Sequence, residues 1–259
     1  MSAFIVSGGE LLELGCPSTL DRSTQQQTDF VDTLGGKRKA FLRQGGRRSW
    51  SVDVSVARPA EVSGIEAMAR FGGPLGWYPP EAVIGNLLSP QASGFDTAQF
   101  NATSTGMVQL GDGSVARAVA LSGAITIGSS HGSFEAVPVK ASTPVTIGGW
   151  GLGGIRFTGV WRDAGLAQVG TFSGATFVHS GWAFRSQSFT PPVAAKFLSV
   201  TFLGATQVAR PTVAWGVAAR DELGTGCPIA VFHSPQHSPV ALWQGANYTQ
   251  SSYQVTEVG

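Results

Sequence analysis

The sequence predicts an all-β protein, mainly β with one short helix. Three observations carry that reading. Charged residues make up only 13% of the chain, well under the usual quarter. The 35 glycines and 14 prolines are spread along the chain as turn formers. Apolar residues recur with period two, or in short runs bounded by those turn formers. A length of 259 residues allows one large or two ordinary domains.

The N-terminal elements follow in order. Phe4-Ile5-Val6 and Leu11 to Leu14 flank Ser7-Gly8-Gly9 and read as a hairpin, because glycines supply the positive φ of a tight turn. Residues 17–29 are polar and read as a loop. Phe30–Leu34 and Lys39–Leu42 flank Gly35-Gly36, a second turn signal. In the next stretch Trp50, Val52, Val54 and Val56 alternate with Ser51, Asp53 and Ser55, which predicts a half-buried strand. Pro59 suits the first position of a helix, Glu61 its first turn and Arg70 its last turn, so a helix is predicted over 59–70. Val62, Ile65 and Ala69 recur at helical spacing and should pack on the Trp50 strand. Gly72-Gly73 stops the helix. Pro74, Trp77, Tyr78 and Pro79-Pro80 read as a stiff apolar loop, and Asn86-Leu87-Leu88-Ser89-Pro90 leads out.

Residues 89–114 are rich in Pro, Ser, Gly, Thr and Asn and read as a domain entrance. From Val115 onward strands are predicted over 115–121, 124–128, 134–139, 143–150, 153–161, 166–172, 182–189, 196–203 and 206–215. That number of strands over such a length fits a jelly-roll β-sandwich. Residues 216–227 read as a second linker, and 228–232, 239–243 and 252–258 as the last strands. The organisation expected is therefore 1–88, 89–216 and 217–259, with the last segment returning to the first domain.

Composition narrows the function. A net charge of +1 gives no chain-wide electrostatic footprint for nucleic acid, so no specific nucleic acid is expected. No run of about 18 apolar residues exists, so no membrane span is predicted. The first residues, MSAFIVSGGELLEL, lack the basic flank and apolar length of a signal peptide. Cys16 and Cys227 are therefore expected to be free, buried thiols of a chain made in a reducing cytoplasm. Lysine is scarce, and the basic cluster Lys37, Arg38, Lys39, Arg43, Arg47 and Arg48 stands out. It reads as a contact for an acidic partner surface or for passing DNA, or as a solvated hairpin tip.

No catalytic set is predicted, and neither a metal nor a cofactor. His233 and His237 are four apart, but Pro235 and Pro239 keep them off one helical face. No phosphate-binding glycine loop and no G-x-S-x-G elbow occur. Binding is the better prospect. Sugar-binding sandwiches stack pyranose rings on aromatic side chains, and Trp150, Trp161 and Trp182 are the candidates, with Phe134 and Trp215 behind them. Core packing is the competing role for every one.

The order Arg48-x-Trp50, Pro59, Gly73, Gly76-Trp77 and Asn86-Leu87-Leu88 resembles the N-terminal region of actinobacteriophage minor tail proteins, the distal-tail-like components of long-tailed phages. Further matches are Val137-Pro138-Val139, Pro144-Val145-Thr146, Trp161 with Asp163 and Gly165, Trp182, Pro191-Pro192 and Ala209-Arg210-Pro211. These resemble the carbohydrate-binding-module-like jelly roll of the same proteins. Gly226-Cys227-Pro228 and Glu257-Val258-Gly259 resemble its closing segment. The resemblance implies a tail-tip or baseplate subunit of the virion, assembled in the host cytoplasm as a homo-oligomeric ring. Its implied partners are the tail tube, the tape measure and the tail-tip hub, with host cell-wall glycan as a further ligand. A free lectin-like module is the alternative.

Overall fold

The computed structural model describes residues 2–7, 10–25, 28–32, 38–42, 47–71, 75–96, 100, 102–128, 137–243 and 246–258, and it is all-β. In chain order the first strands are β1 (Ala3–Ser7), β2 (Glu10–Leu14), β3 (Thr19–Gln25), β4 (Thr28–Asp32), β5 (Arg38–Leu42) and β6 (Arg47–Ala57). Helix α1 (Pro59–Phe71), strand β7 (Leu75–Tyr78) and the short helices α2 (Pro80–Ile84) and α3 (Pro90–Ser93) come next. Then follow β8 (Thr103–Gln109), β9 (Val115–Ala120), β10 (Ala124–Ile127), β11 (Val137–Pro138), β12 (Val145–Arg162) and β13 (Gln168–Phe189). The last strands are β14 (Phe197–Leu203), β15 (Gln207–Trp215), β16 (Cys227–Trp243) and β17 (Ala246–Glu257). The chain divides into two compact units. One is Met1–Ala3, Leu12–Leu75 and Ile229–Gly259; the other is Phe4–Leu11 and Gly76–Pro228.

The first unit is built on β6. Its alternation is realised in burial as far as Val54: Arg48, Trp50, Val52 and Val54 are buried, while Arg47, Ser51 and Ser55 are exposed. Val56, expected on the buried face, is 56% exposed, and Ala57 is buried in its place. Strand β3 pairs one edge of β6, with Leu20 opposite Val52. Strand β17 pairs the other, with Val255 opposite Trp50 and Tyr253 opposite Val52, and β16 continues the sheet. Residues facing each other in a ladder share a sheet face, so Trp50, Val52, Tyr253 and Val255 form one apolar surface. Phe232 of β16 stacks on Tyr253 at 5.5 Å between ring centroids. Burial pushes the Tyr253 phenol well above its ordinary pKa, and the negative charge of Glu61 adds to the effect.

Helix α1 starts and ends as its sequence signals require. The Glu61 carboxylate accepts the Arg58 amide at 3.1 Å, half of a capping box, and Arg70 stands in the last turn. Ile65 is its fully buried residue, and Val62, Met68 and Ala69 are half-buried. Gly72-Gly73 lies outside the described residues. Strands β4 and β5 pair as the predicted hairpin, Phe30 opposite Ala40. Strand β3, by contrast, occupies what the polar composition of residues 17–29 assigned to a loop. Backbone pairing to β6 stabilises it without an apolar face of its own. Two long strands, β16 and β17, replace the short terminal strands expected. The prolines of β16 are accommodated because its register slips between His233 and Gln236 and again between Pro239 and Ala241.

In the second unit, β1 pairs β7 antiparallel, with Ile5 opposite Trp77. The segment read as an aromatic loop is thus a fully buried strand, followed by α2 with Pro80 at its start. Ser89 caps α3, its hydroxyl accepting the Ala92 amide at 3.1 Å. Both short helices carry a proline at the start, a signal that the stiff-loop reading absorbed.

A curled antiparallel sheet in the order β10-β14-β12-β15-β9-β8, with β11 on β14 and β13 on β12, makes the sandwich. Strand β12 runs through both layers. Val145–Leu152 pairs β15, and Arg156–Arg162 pairs β14. The bend falls at Gly153 and Gly154, whose φ values of 82° and 153° exclude most other residues, so strands predicted separately over 143–150 and 153–161 are one. Strand β13 follows β12 as a hairpin along its whole length and likewise merges the predicted 166–172 and 182–189. The core between the layers includes Ile125, Ile147, Phe157, Leu198, Phe202 and Val213. The region read as a domain entrance contributes β8, which forms a hairpin with β9 around the Gly111-Asp112-Gly113 turn.

No disulfide joins the two cysteines. Cys227 is buried as expected, but Cys16 is exposed, because it lies in the connection leading out of β2. No helix among the described residues is long and apolar enough to cross a membrane.

Candidate carbohydrate-binding face

The outer face of the sandwich carries a second, smaller aromatic cluster. Trp150 on β12 faces away from the core, since Val145 and Ile147 of the same strand point in. Directly opposite it on β13 is Phe184, with ring centroids 6.0 Å apart, and the next pair along the face is Leu152 and Trp182. Leu110, Ala116, Ala118 and Ala209 complete the patch. Trp150 is only 7% exposed, whereas Trp182 and Phe184 are half-buried and form the accessible floor.

A polar rim adjoins this floor. The Trp150 indole Nε1 donates to Asp221 Oδ2 at 2.8 Å. Arg210 Nη1 donates to the same oxygen at 3.1 Å and to Ser114 Oγ at 3.0 Å, and Arg210 Nη2 reaches the Val115 carbonyl at 3.2 Å. Arg210 adopts φ 45°, an uncommon value for a residue with a Cβ, and these bonds hold its side chain there. Asp112 Oδ1 accepts both the amide and the hydroxyl of Ser114. Those two bonds hold the exposed Asp112 carboxyl below its ordinary pKa, so it is ionised at neutral pH. Chemically, the face offers an aromatic surface with carboxylate, guanidinium and hydroxyl groups beside it. That combination suits a pyranose, whose apolar face stacks while its hydroxyls hydrogen-bond.

The structure separates the three tryptophans singled out from sequence. Trp150 and Trp182 belong to one cluster. Trp161 does not: it is 2% exposed in the core, with its ring 4.9 Å from that of Phe172, and it offers no face to a sugar. Trp215 donates its Nε1 to the Pro138 carbonyl and packs edge-on against Phe4. Phe134 lies outside the described residues. Sequence reasoning missed Arg210, Asp221 and Ser114. An arginine between apolar residues of a strand was the one available signal, and Asp221 had none.

The basic residues do not share one role. Lys37 and Arg43 lie outside the described residues, and of Arg38 and Lys39 only the strand placement in β5 is described. Arg47 is exposed on β6. Arg48 is buried on the opposite face and corrects the partner-contact reading, because its guanidinium is held by Glu257: Nε to Oε2 at 2.9 Å and Nη2 to Oε1 at 2.8 Å. It also lies 5.1 Å above the Trp50 ring. The two histidines bond hydroxyls of β17, His233 with Thr256 and His237 with Ser251.

The buried Asn86 was read as part of an exit loop and is instead a fully bonded anchor. Its Nδ2 donates to the carbonyls of Pro211 and Glu222, at 3.1 and 2.9 Å. Its Oδ1 accepts the amides of Leu88 and Val213, both at 3.1 Å. Alongside it, Gly224 and Gly226 lie flush on Leu87 and Leu88: a Cβ on Gly226 would collide with the Leu87 carbonyl oxygen.

No family model matches this sequence, and no curated protein matches it. Among solved structures it is similar to the enzymatically active domain of tailspike protein 4 of bacteriophage CBA120. The match has 12% identity and TM-score 0.34, over 50% of this chain and 21% of that one. It is also similar to the CBM22-1 xylan-binding domain of Xyn10C from Paenibacillus barcinonensis. There the identity is 10% and the TM-score 0.25, over 83% of this chain and 94% of that one. The chain thus spans about a fifth of the tailspike domain's length. At these scores neither likeness bears on what this chain does.

Proposed function

We propose that the chain is a non-catalytic structural subunit of a long-tailed phage tail tip, working in the virion as a homo-oligomeric ring beside the tail tube, tape measure and hub. The observation that carries this reading concerns the residues of the tail-protein resemblance. They pair with one another across the chain: Arg48 of the R-x-W strand with Glu257 of the closing segment, and Leu87-Leu88 with Gly226. The resemblance is thus borne by residues that hold the fold together rather than by scattered surface matches. Electron microscopy of purified particles labelled with an antibody to this chain should place it at the tail tip. Sedimentation of the purified chain should give a cyclic oligomer. A strict monomer, both alone at high concentration and in intact particles, would overturn the ring.

The Trp182 face supports a second role, weak contact with host cell-wall glycan. Repetition around a ring would raise weak single-site binding by ~10²–10⁴ where several sites engage together. The full chain, multimerised on a bead, is expected to bind at least one cell-wall glycan on an array, and Trp182→Ala to lose at least tenfold of that signal. Trp182 is the better probe than Trp150, which is buried and whose loss would disturb packing. No signal from either form would leave the structural role alone.

A further inference from the structure

We propose that copies of this chain join head to tail through two open sheet edges, Trp182–Phe189 of β13 in one copy and β8 in the next. The inference rests on the ring reading above and names the strands that would close it. One layer of the sandwich has the order β8, β9, β15, β12 and β13, with β12 contributing Val145–Leu152 and β13 contributing Trp182–Phe189. Among the described residues, β8 pairs only β9 and β13 pairs only β12, so each leaves one edge open.

Open edges are normally guarded by lysines, prolines, bulges or a covering segment. Among the described residues neither edge carries a lysine or a proline, although β8 has a bulge between Ser104 and Gly106 and the Gly111 turn lies against the Trp182 carbonyl. Strand β8 reads TSTGMVQ, with no charge and no proline, and it is exposed along nearly its whole length, Met107 at 67%. The facing segment of β13 reads WAFRSQSF, with Arg185 its one charge. The two edges match in length, 7 residues in β8 against the eight of Trp182–Phe189.

Strand direction selects the arrangement. Every pairing across this layer is antiparallel, and five strands separate into three of one direction and two of the other. Both edge strands therefore run the same way. Setting β13 of one copy beside β8 of the next makes a parallel ladder and repeats every copy with one polarity, the requirement for a cyclic ring. A two-fold contact of β13 with itself would be antiparallel, but it would stop at two copies and leave the β8 edge open. The occurrence of two open edges on one layer, running the same way and matched in length, favours the head-to-tail contact.

The test uses two full-length variants that block one edge each, Ser186→Lys on β13 and Met107→Lys on β8. Both positions are exposed, so the fold should survive, which circular dichroism melting checks. In sedimentation the unmodified chain should form the ring. Each variant alone should be monomeric, and an equal mixture should form dimers and nothing larger, because each variant retains the edge the other lacks. Variants that keep the full oligomer mass would overturn the edge contact while leaving the ring intact. Met107→Lys remaining a dimer while Ser186→Lys is monomeric would overturn it in favour of the two-fold pairing. A monomeric unmodified chain, alone and in particles, would remove the ring reading itself.

Discussion

Replacing Glu257 with alanine is expected to destabilise the protein by about 3–5 kcal/mol, the cost of breaking a buried ion pair from one side. The side chains of Arg48 and Glu257 are only 7% and 11% exposed, and the carboxylate takes two guanidinium bonds and the Arg48 amide. Removing the carboxylate takes both of its bonds from the buried guanidinium, which lies beside Trp50. Urea denaturation of the full chain, followed by tryptophan fluorescence, measures the loss. The double variant Arg48→Met with Glu257→Leu should recover most of it, since an apolar pair of similar volume needs no compensation for desolvated charge. Glu66→Ala is the comparator: its bond to Arg70 is 3.5 Å long and exposed and its contact with His237 is 3.9 Å long, and their loss should cost under about 1 kcal/mol. A Glu257→Ala cost as small as that would show that water reaches the pair.

Replacing Asn86 with alanine is expected to cost about 4 kcal/mol, because it strips partners from two buried amides, the buried Pro211 carbonyl and the half-buried Glu222 carbonyl at once. The amide is oriented by its surroundings: both Oδ1 contacts are N–H donors and both Nδ2 contacts are carbonyls, so the reverse orientation would break all of them. Asn86→Asp should be no milder. It keeps the acceptor for Leu88 and Val213 but turns a carboxylate oxygen toward the Pro211 and Glu222 carbonyls. The same denaturation experiment reads both variants. A loss below about 1 kcal/mol for Asn86→Ala would mean that the 222–226 segment lifts and water replaces the side chain.

Much of the fold was legible because local chemistry repeats. The Trp50 strand follows from period two, and α1 from Pro59, Glu61 and Arg70. The strands after Val115 follow from their turns. Errors arose where the deciding partner was distant in sequence. Strand β3 has no apolar pattern, and only the β6 edge makes it a strand. Gly153-Gly154 signals a turn locally, but partners on both sides of β12 turn it into a bend within one strand. The candidate site was half legible. An aromatic in a strand can be recognised, but its face depends on register, and one residue of slip sends a side chain to the opposite side. That is why Trp161 and Trp182, alike as residues in sequence, end in the core and on the surface.

By itself, then, the sequence determined the all-β class, the one substantial helix and the alternation that buries Trp50, because these depend on residues within a few positions of one another. Tertiary structure alone decided that Arg48 meets Glu257, that Asn86 binds the Pro211 and Glu222 carbonyls, and that Arg210 and Asp221 stand beside Trp150. Each of those contacts joins segments far apart in the chain. It forms only after the sheets have closed, when burial makes an unpaired charge or amide costly and so selects the partner that satisfies it.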